Sequence, residues 1–250
     1  GYTLVEFFYD EITSLKKFDG NLYVALGDGV PYQFMDSDES FTETDTEAHF
    51  LVSWNSLLFY ADSAGEIFEL TNPATATPTS TSKGKLAEVG VEDGELERLG
   101  TSRDADGAVG IYAATNRGYY ALDYTNAKWI ETELNLPNHP TGGAGYARWQ
   151  GADYISSGLD LIKYIAASTA QITSMGLSKD DGIPNEYAGE IVALVPSFNE
   201  LFALVDASLV SGTGYSAVYS YDGGGWSVAW ADGTADRALH NGFVSSIYTY

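Results

Sequence analysis

The sequence has no cysteine, which excludes disulfide staples, thiolate metal sites and cysteine nucleophiles while leaving the compartment open. No run approaches the roughly 18 apolar residues of a membrane-spanning helix. No signal peptide or transmembrane segment is recognisable, and no membrane insertion is expected. Basic residues are scarce, 12 Lys and Arg against 35 Asp and Glu, for a formal charge of −23. Phosphate needs a basic footprint, so nucleic acid is not an expected partner, nor is an anionic lipid surface. The three histidines, His49, His139 and His240, stand far apart without zinc-site spacing and read as structural. There is no Gly-x-Ser-x-Gly elbow. The glycine-rich stretches 142–145 and 223–225 lack the Gly-Lys-Ser/Thr ending and following helix of a phosphate cradle.

What remains is rich in strand formers. The chain holds 18 Tyr, 11 Phe and 5 Trp. Short aromatic and β-branched runs, bounded by Gly, Asp, Asn and Ser, occur at 21–26, 57–61, 109–114, 153–155, 201–205 and 247–250. The best helical stretch, 160–170, is too rich in Ser and Thr to compete. The expected fold class is all-β.

The turns repeat. A bulky residue, a turn pair and an apolar strand recur as Phe18-Asp19-Gly20-Asn21, Trp54-Asn55-Ser56-Leu57, Trp149-Gln150-Gly151-Ala152 and Phe198-Asn199-Glu200-Leu201. Looser copies begin at Asp106 and Asn241. The first turn residues, at 19, 55, 106, 150, 199 and 241, are spaced 36 to 51 residues apart, and further strand-like runs follow within each period. A period of roughly 40–50 residues with four strands is that of a β-propeller blade, which buries its faces only by stacking against neighbours. The expectation is therefore one propeller domain over 1–250, with six blades closed by the N-terminal strand and the strand near the C-terminus, or five as the fallback. The opening Gly and the end inside a strand are expected to be the edges of a piece of a longer protein. Residues 71–85, rich in Thr, Ser and Pro, read as an exposed loop.

The acids supply the one enzyme-like pattern. Asp28, Asp62, Asp123, Asp206 and Asp222 fall at or near strand ends, where propellers place ligand-binding loops and where a glycoside hydrolase would hold its carboxyl pair. No catalytic role and no metal ligand set is assigned to them, and no cofactor is expected. A divalent cation such as calcium is left open by the carboxylate groups Asp36/Asp38/Glu39, Asp104/Asp106 and Asp180/Asp181, none of which has the spacing of a calcium loop. The aromatics could stack on sugar rings, yet Trp54, Trp149, Trp226 and Trp230 recur at repeat positions that suit packing between blades.

Two resemblances add to this reading. Ser178-Lys179-Asp180-Asp181-Gly182 resembles the opening of the Asp-box of sialidase-type propellers, although Asn185 stands where the closing Trp belongs. In that family the box stabilises a turn remote from the catalytic centre. The segments 22–29, 181–194 and 216–226 resemble propeller-containing structural proteins, of the tail or adsorption kind, from tailed bacteriophages and environmental viruses. That resemblance implies a virion-associated or extracellular component of a larger assembly, with no catalytic residues to carry over. The function expected is a non-enzymatic structural or adhesion propeller that presents loops to a protein or glycan partner. The alternatives are a carbohydrate-active propeller with carboxylates in its axial pocket and a surface binding module of a salt-adapted microbe.

Overall fold

A computed structural model describes residues 12–27, 29–36, 40–92, 94–177, 189–206 and 216–231. Twenty strands and one turn of 3-10 helix (Leu86–Val89) make up the regular structure, with no α-helix among the described residues. The strands form five four-stranded antiparallel sheets, each ordered as its strands run in the chain. The first sheet is β1 (Ser14–Phe18), β2 (Asn21–Ala25), β3 (Pro31–Met35) and β4 (Phe41–Glu47). The second is β5 (Phe50–Trp54), β6 (Leu57–Ala61), β7 (Glu66–Thr71) and β8 (Thr79–Lys85). The third is β9 (Leu96–Arg103), β10 (Val109–Thr115), β11 (Gly118–Asp123) and β12 (Lys128–Asn135). The fourth is β13 (Tyr146–Trp149), β14 (Ala152–Ser157), β15 (Asp160–Ile165) and β16 (Gln171–Ser174). The fifth is β17 (Glu190–Pro196), β18 (Leu201–Asp206), β19 (Ser216–Tyr221) and β20 (Trp226–Ala231). The expected closing sheet and the Asp-box-like segment both lie outside the described residues.

These residues divide into two compact units, the first built on sheets one and two, the second on sheets four and five, with the third sheet contributing residues to each. In the first unit, Tyr23 and Ala25 on β2 and Tyr32 and Phe34 on β3 alternate inward at the period of two that a strand imposes. They pack with Leu51, Leu58, Tyr60 and Leu70 of the second sheet. Polar stitches join the two first strands: the Ser14 hydroxyl accepts from Leu51 N–H at 3.2 Å. In the second unit, Ala147, Trp149, Tyr154 and Leu161 of the fourth sheet meet Ile191, Leu201, Ala203 and Tyr219 of the fifth. Two indoles pin that contact, Trp149 Nε1 donating to Ser197 O at 2.8 Å and Trp226 Nε1 to Met175 O at 2.7 Å.

The turns explain why the repeat was visible. Asp19 and Gly20, Asn55 and Ser56, and Gln150 and Gly151 all have positive φ, between 46° and 84°. Two successive positive φ values define the two-residue turn whose twist matches antiparallel strands. Gly143 is fixed by crowding as well as by its φ of 84°: a Cβ there would lie 2.6 Å from the backbone oxygen of Thr115, a contact no side chain tolerates.

In keeping with the all-β expectation, the stretch 160–170 begins as a strand, β15, with Leu161 and Tyr164 in the core and their neighbours half-buried. Two features differ from the expectation. Within 71–85, only the first half is a connection; Thr79–Lys85 pairs with β7 as β8, and Thr79 to Ser82 remain exposed on that edge. In the fifth sheet the turn is longer by two residues. Pro196 pairs with Leu201 where Trp149 pairs with Ala152, so Phe198 is extruded to 92% exposure and does not take the packing position of Trp149.

Candidate functional site

Three of the strand-end aspartates, Asp62, Asp123 and Asp222, are engaged within their own turns. The Asp62 carboxylate accepts from Glu66 N–H at 2.8 Å. Asp123 accepts from the backbone and side-chain nitrogens of Asn126, at 3.1 and 2.7 Å, and these bonds hold its carboxyl below the usual range. Asp222 accepts from Gly224 N–H at 2.8 Å and Gly225 N–H at 3.2 Å, with the same effect. Asp206 is buried at the end of β18, paired in the ladder with Ser216. Asp28 lies outside the described residues. Asp206 and Asp222 share the fifth sheet but mark opposite ends of it, since the ladder runs from Asp206↔Ser216 to Leu201↔Tyr221. At about 3.4 Å per residue that is roughly 17 Å, beyond the carboxyl separations of glycoside hydrolysis.

Of the cation candidates, Asp104 spends its carboxylate on Asp106 N–H and Ala108 N–H, at 3.0 and 2.8 Å. Asp38, Glu39, Asp180 and Asp181 lie outside the described residues. Among the described residues no group of three or more His, Cys, Asp or Glu side chains is arranged to hold a metal ion. His139 is tied into the fold: its Nδ1 lies 3.1 Å from Thr141 Oγ1, which donates to Glu190 at 2.6 Å.

One polar cluster was not foreseen. Arg148 on β13 and Asp153 on β14 face each other across the ladder, and Asp153 is 1% exposed. Arg148 Nη1 donates to its two carboxylate oxygens at 3.1 and 3.3 Å. The Ser102 hydroxyl of β9 donates to the same carboxylate and accepts from Arg148. Tyr146, whose hydroxyl lies 3.1 Å from that of Tyr119, completes the group. Burial pushes the Asp153 carboxyl up, opposed by the Ser102 and Arg148 bonds. With its acceptor sites occupied and solvent excluded, this carboxylate is a buried strut between β9 and the fourth sheet. A signal for it exists in the repeat: the same ladder pair is Lys17↔Leu22 in the first sheet and Ser53↔Leu58 in the second, so Asp153 occupies a leucine register.

Among the described residues of the second unit lies a groove of about 640 Å³. Its floor is a face of the outer strands of sheet four, where Lys163 pairs with Thr173 and Ile165 with Gln171. Its wall is the β19–β20 hairpin, with Tyr221, Gly224, Gly225 and Trp226. The two rings lie 5.0 Å apart at 33°, Trp149 meets Tyr221 edge-on, and the Trp226 indole is anchored to Met175 O. The aromatic wall is therefore rigid before any ligand arrives. The expectation that Trp149 and Trp226 pack between sheets holds, and Trp226 serves the groove as well. The side chain of Trp230 lies outside the described residues.

No helix among the described residues is long and apolar enough to cross a membrane. No protein-family profile and no curated protein matches the chain. Solved structures do. The extracellular domain of a putative hybrid two-component system from B. thetaiotaomicron aligns at TM-score 0.60 and 16% identity, over 91% of this chain and 29% of that one. A luciferin-regenerating enzyme aligns at TM-score 0.56 and 14% identity, over 90% and 78%. A gluconolactonase from Xanthomonas campestris aligns at TM-score 0.53 and 13% identity, over 88% and 76%. The chain spans less than a third of the length of that extracellular-domain chain. At such identities the likeness speaks for fold alone. Five four-stranded sheets built from consecutive strands, together with these neighbours, establish a β-propeller fold.

Proposed function

We propose that this propeller is a non-enzymatic binding protein that holds a glycan or protein partner at the groove between the outer strands of sheet four and the β19–β20 hairpin. The observation that carries the reading is the pre-set aromatic wall facing exposed Gln171 and Thr173. A concave surface with a few polar groups beside ordered rings is what small-ligand and saccharide recognition requires, and ordering the rings in advance lowers the entropic cost of binding. The hydrolase alternative needs two facing carboxyls, whereas the described strand-end acids are spent on turns or separated along a sheet.

The setting we assign is extracellular or virion-borne, as an adsorption component. The sequence resemblance to viral tail proteins supports it, and the extracellular-domain neighbours speak for exposure outside a cell. The test is a glycan array and a partner pull-down with the purified chain, paired with a reducing-sugar assay on every retained glycan. Retention without turnover, lost in the Gln171→Ala/Thr173→Ala variant, is the expected result. Release of reducing ends would replace the binding reading with a hydrolase. Antibodies against the chain that fail to label virus particles or cell exteriors would remove the assigned setting.

A further inference from the structure

We infer that the groove ligand is an acidic saccharide, one whose sugar rings carry carboxylates. This rests on the binding reading above and narrows its ligand. The argument begins from charge. In a chain with 35 acidic and 12 basic side chains, a groove lined at random would be negative. Among the described lining residues Lys163 is the one charged side chain, and no described acid lines the groove with it. Lys163 forms no ion pair among the described residues. Three acids on flanking elements are engaged elsewhere: Asp160 accepts from Ser174 Oγ at 2.6 Å, Glu133 from Ala170 N–H at 2.9 Å and Asp222 from its own glycine loop. An ammonium on an otherwise acidic protein, next to two side chains that hydrogen-bond hydroxyls, matches a carboxylate borne on a polyol.

The geometry favours a sugar over an acidic peptide. Lys163 and Thr173 form one cross-strand pair, and Ile165 and Gln171 form another two positions along, so cation, hydroxyl and amide share one sheet face, with Thr173 about 5 Å from Lys163 and Gln171 about 7–8 Å away on the diagonal. Contacts spread in this way engage substituents on opposite sides of one ring. The Tyr221–Trp226 wall offers flat apolar surface to the C–H face of such a ring.

The experiment is fluorescence titration of the groove tryptophan with three probes at low and moderate salt: tetragalacturonate, its fully methyl-esterified form and hexaglutamate. Tetragalacturonate is expected to bind at least ~10-fold more tightly than the ester, since one charge-assisted bond is worth about a factor of ten or more. Lys163→Gln should abolish that preference and its salt dependence without moving the urea midpoint, and Gln171→Ala/Thr173→Ala should weaken both saccharides. Equal affinity for acid and ester, with Lys163→Gln silent, overturns the acidic assignment and leaves the groove a sugar site. Binding of neither saccharide, or binding indifferent to Gln171→Ala/Thr173→Ala, overturns the groove reading itself. Hexaglutamate binding that depends on Lys163, with both saccharides inert, overturns the proposal in favour of an acidic peptide.

Discussion

Removing the carboxylate of Asp153 tests whether the buried cluster holds the fourth sheet to β9. Asp153→Ala leaves the Ser102 hydroxyl and one face of the Arg148 guanidinium without an acceptor, in a site where Asp153 itself is 1% exposed. Breaking a buried ion pair from one side costs about 3–5 kcal/mol. The Arg148 side chain keeps 26% of its exposure and can regain some water, so the low end, near 3 kcal/mol, is expected. At about 2–4 °C per kcal/mol for a chain of this size, Tm should fall by roughly 10 °C. The second sheet supplies the rescue, because Ser53 and Leu58 fill the same ladder pair there. Arg148→Ser/Asp153→Leu should recover to within ~2 kcal/mol of the parent, the remainder being the stranded Ser102 hydroxyl. Adding Ser102→Ala should recover most of that. Urea unfolding followed by tryptophan fluorescence gives each value. A loss below ~1 kcal/mol in Asp153→Ala, or a double variant no better than the single, would refute the strut.

Two further outcomes follow from burial and register. Glu97 on β9 is pushed up to about 7 by burial, against a small opposing effect of Arg98. A carboxyl raised above its unfolded value of 4.5 binds its proton more tightly in the folded state, so its contribution is full below the unfolded value and fades as pH rises through about 7. The urea midpoint should therefore climb as pH is lowered from 8 to 5, and Glu97→Gln should flatten that slope; an equal slope in both proteins would contradict the assignment. Phe198→Ser, at a 92% exposed turn position, should shift stability by less than ~0.5 kcal/mol. Trp149→Ala should cost about 3–5 kcal/mol, since Trp149 is buried and bonded to Ser197 O; similar losses at both sites would restore their equivalence.

The inner two or three strands of each sheet were legible in the sequence because they alternate apolar residues and meet at turns with a chemical signature, as in Phe18-Asp19-Gly20-Asn21. The outer strands of the first two sheets were not. Phe41–Glu47 and Thr79–Lys85 expose most of their side chains, so nothing selects the alternation that would mark them. The site was less legible still. Asp62, Asp123 and Asp222 look available in one dimension, but short polar side chains at strand ends bond first to their own turns, as these do. The groove joins β15 and β16 to a hairpin some fifty residues later, and no local pattern encodes that meeting. Asp153 was findable only by aligning the repeats to the residue and asking which register breaks the apolar rule.

Among the described residues, every hydrogen-bonded ladder joins strands that follow one another in the chain. The entropy lost in closing a connection grows slowly with its length and is smallest for hairpins. Contact order is correspondingly low for a chain made of strands, and low contact order speeds folding. Each sheet can zip from its first turn before docking on a neighbour, which keeps exposed edges short-lived on the way to the native state and limits the time in which they can pair with another molecule.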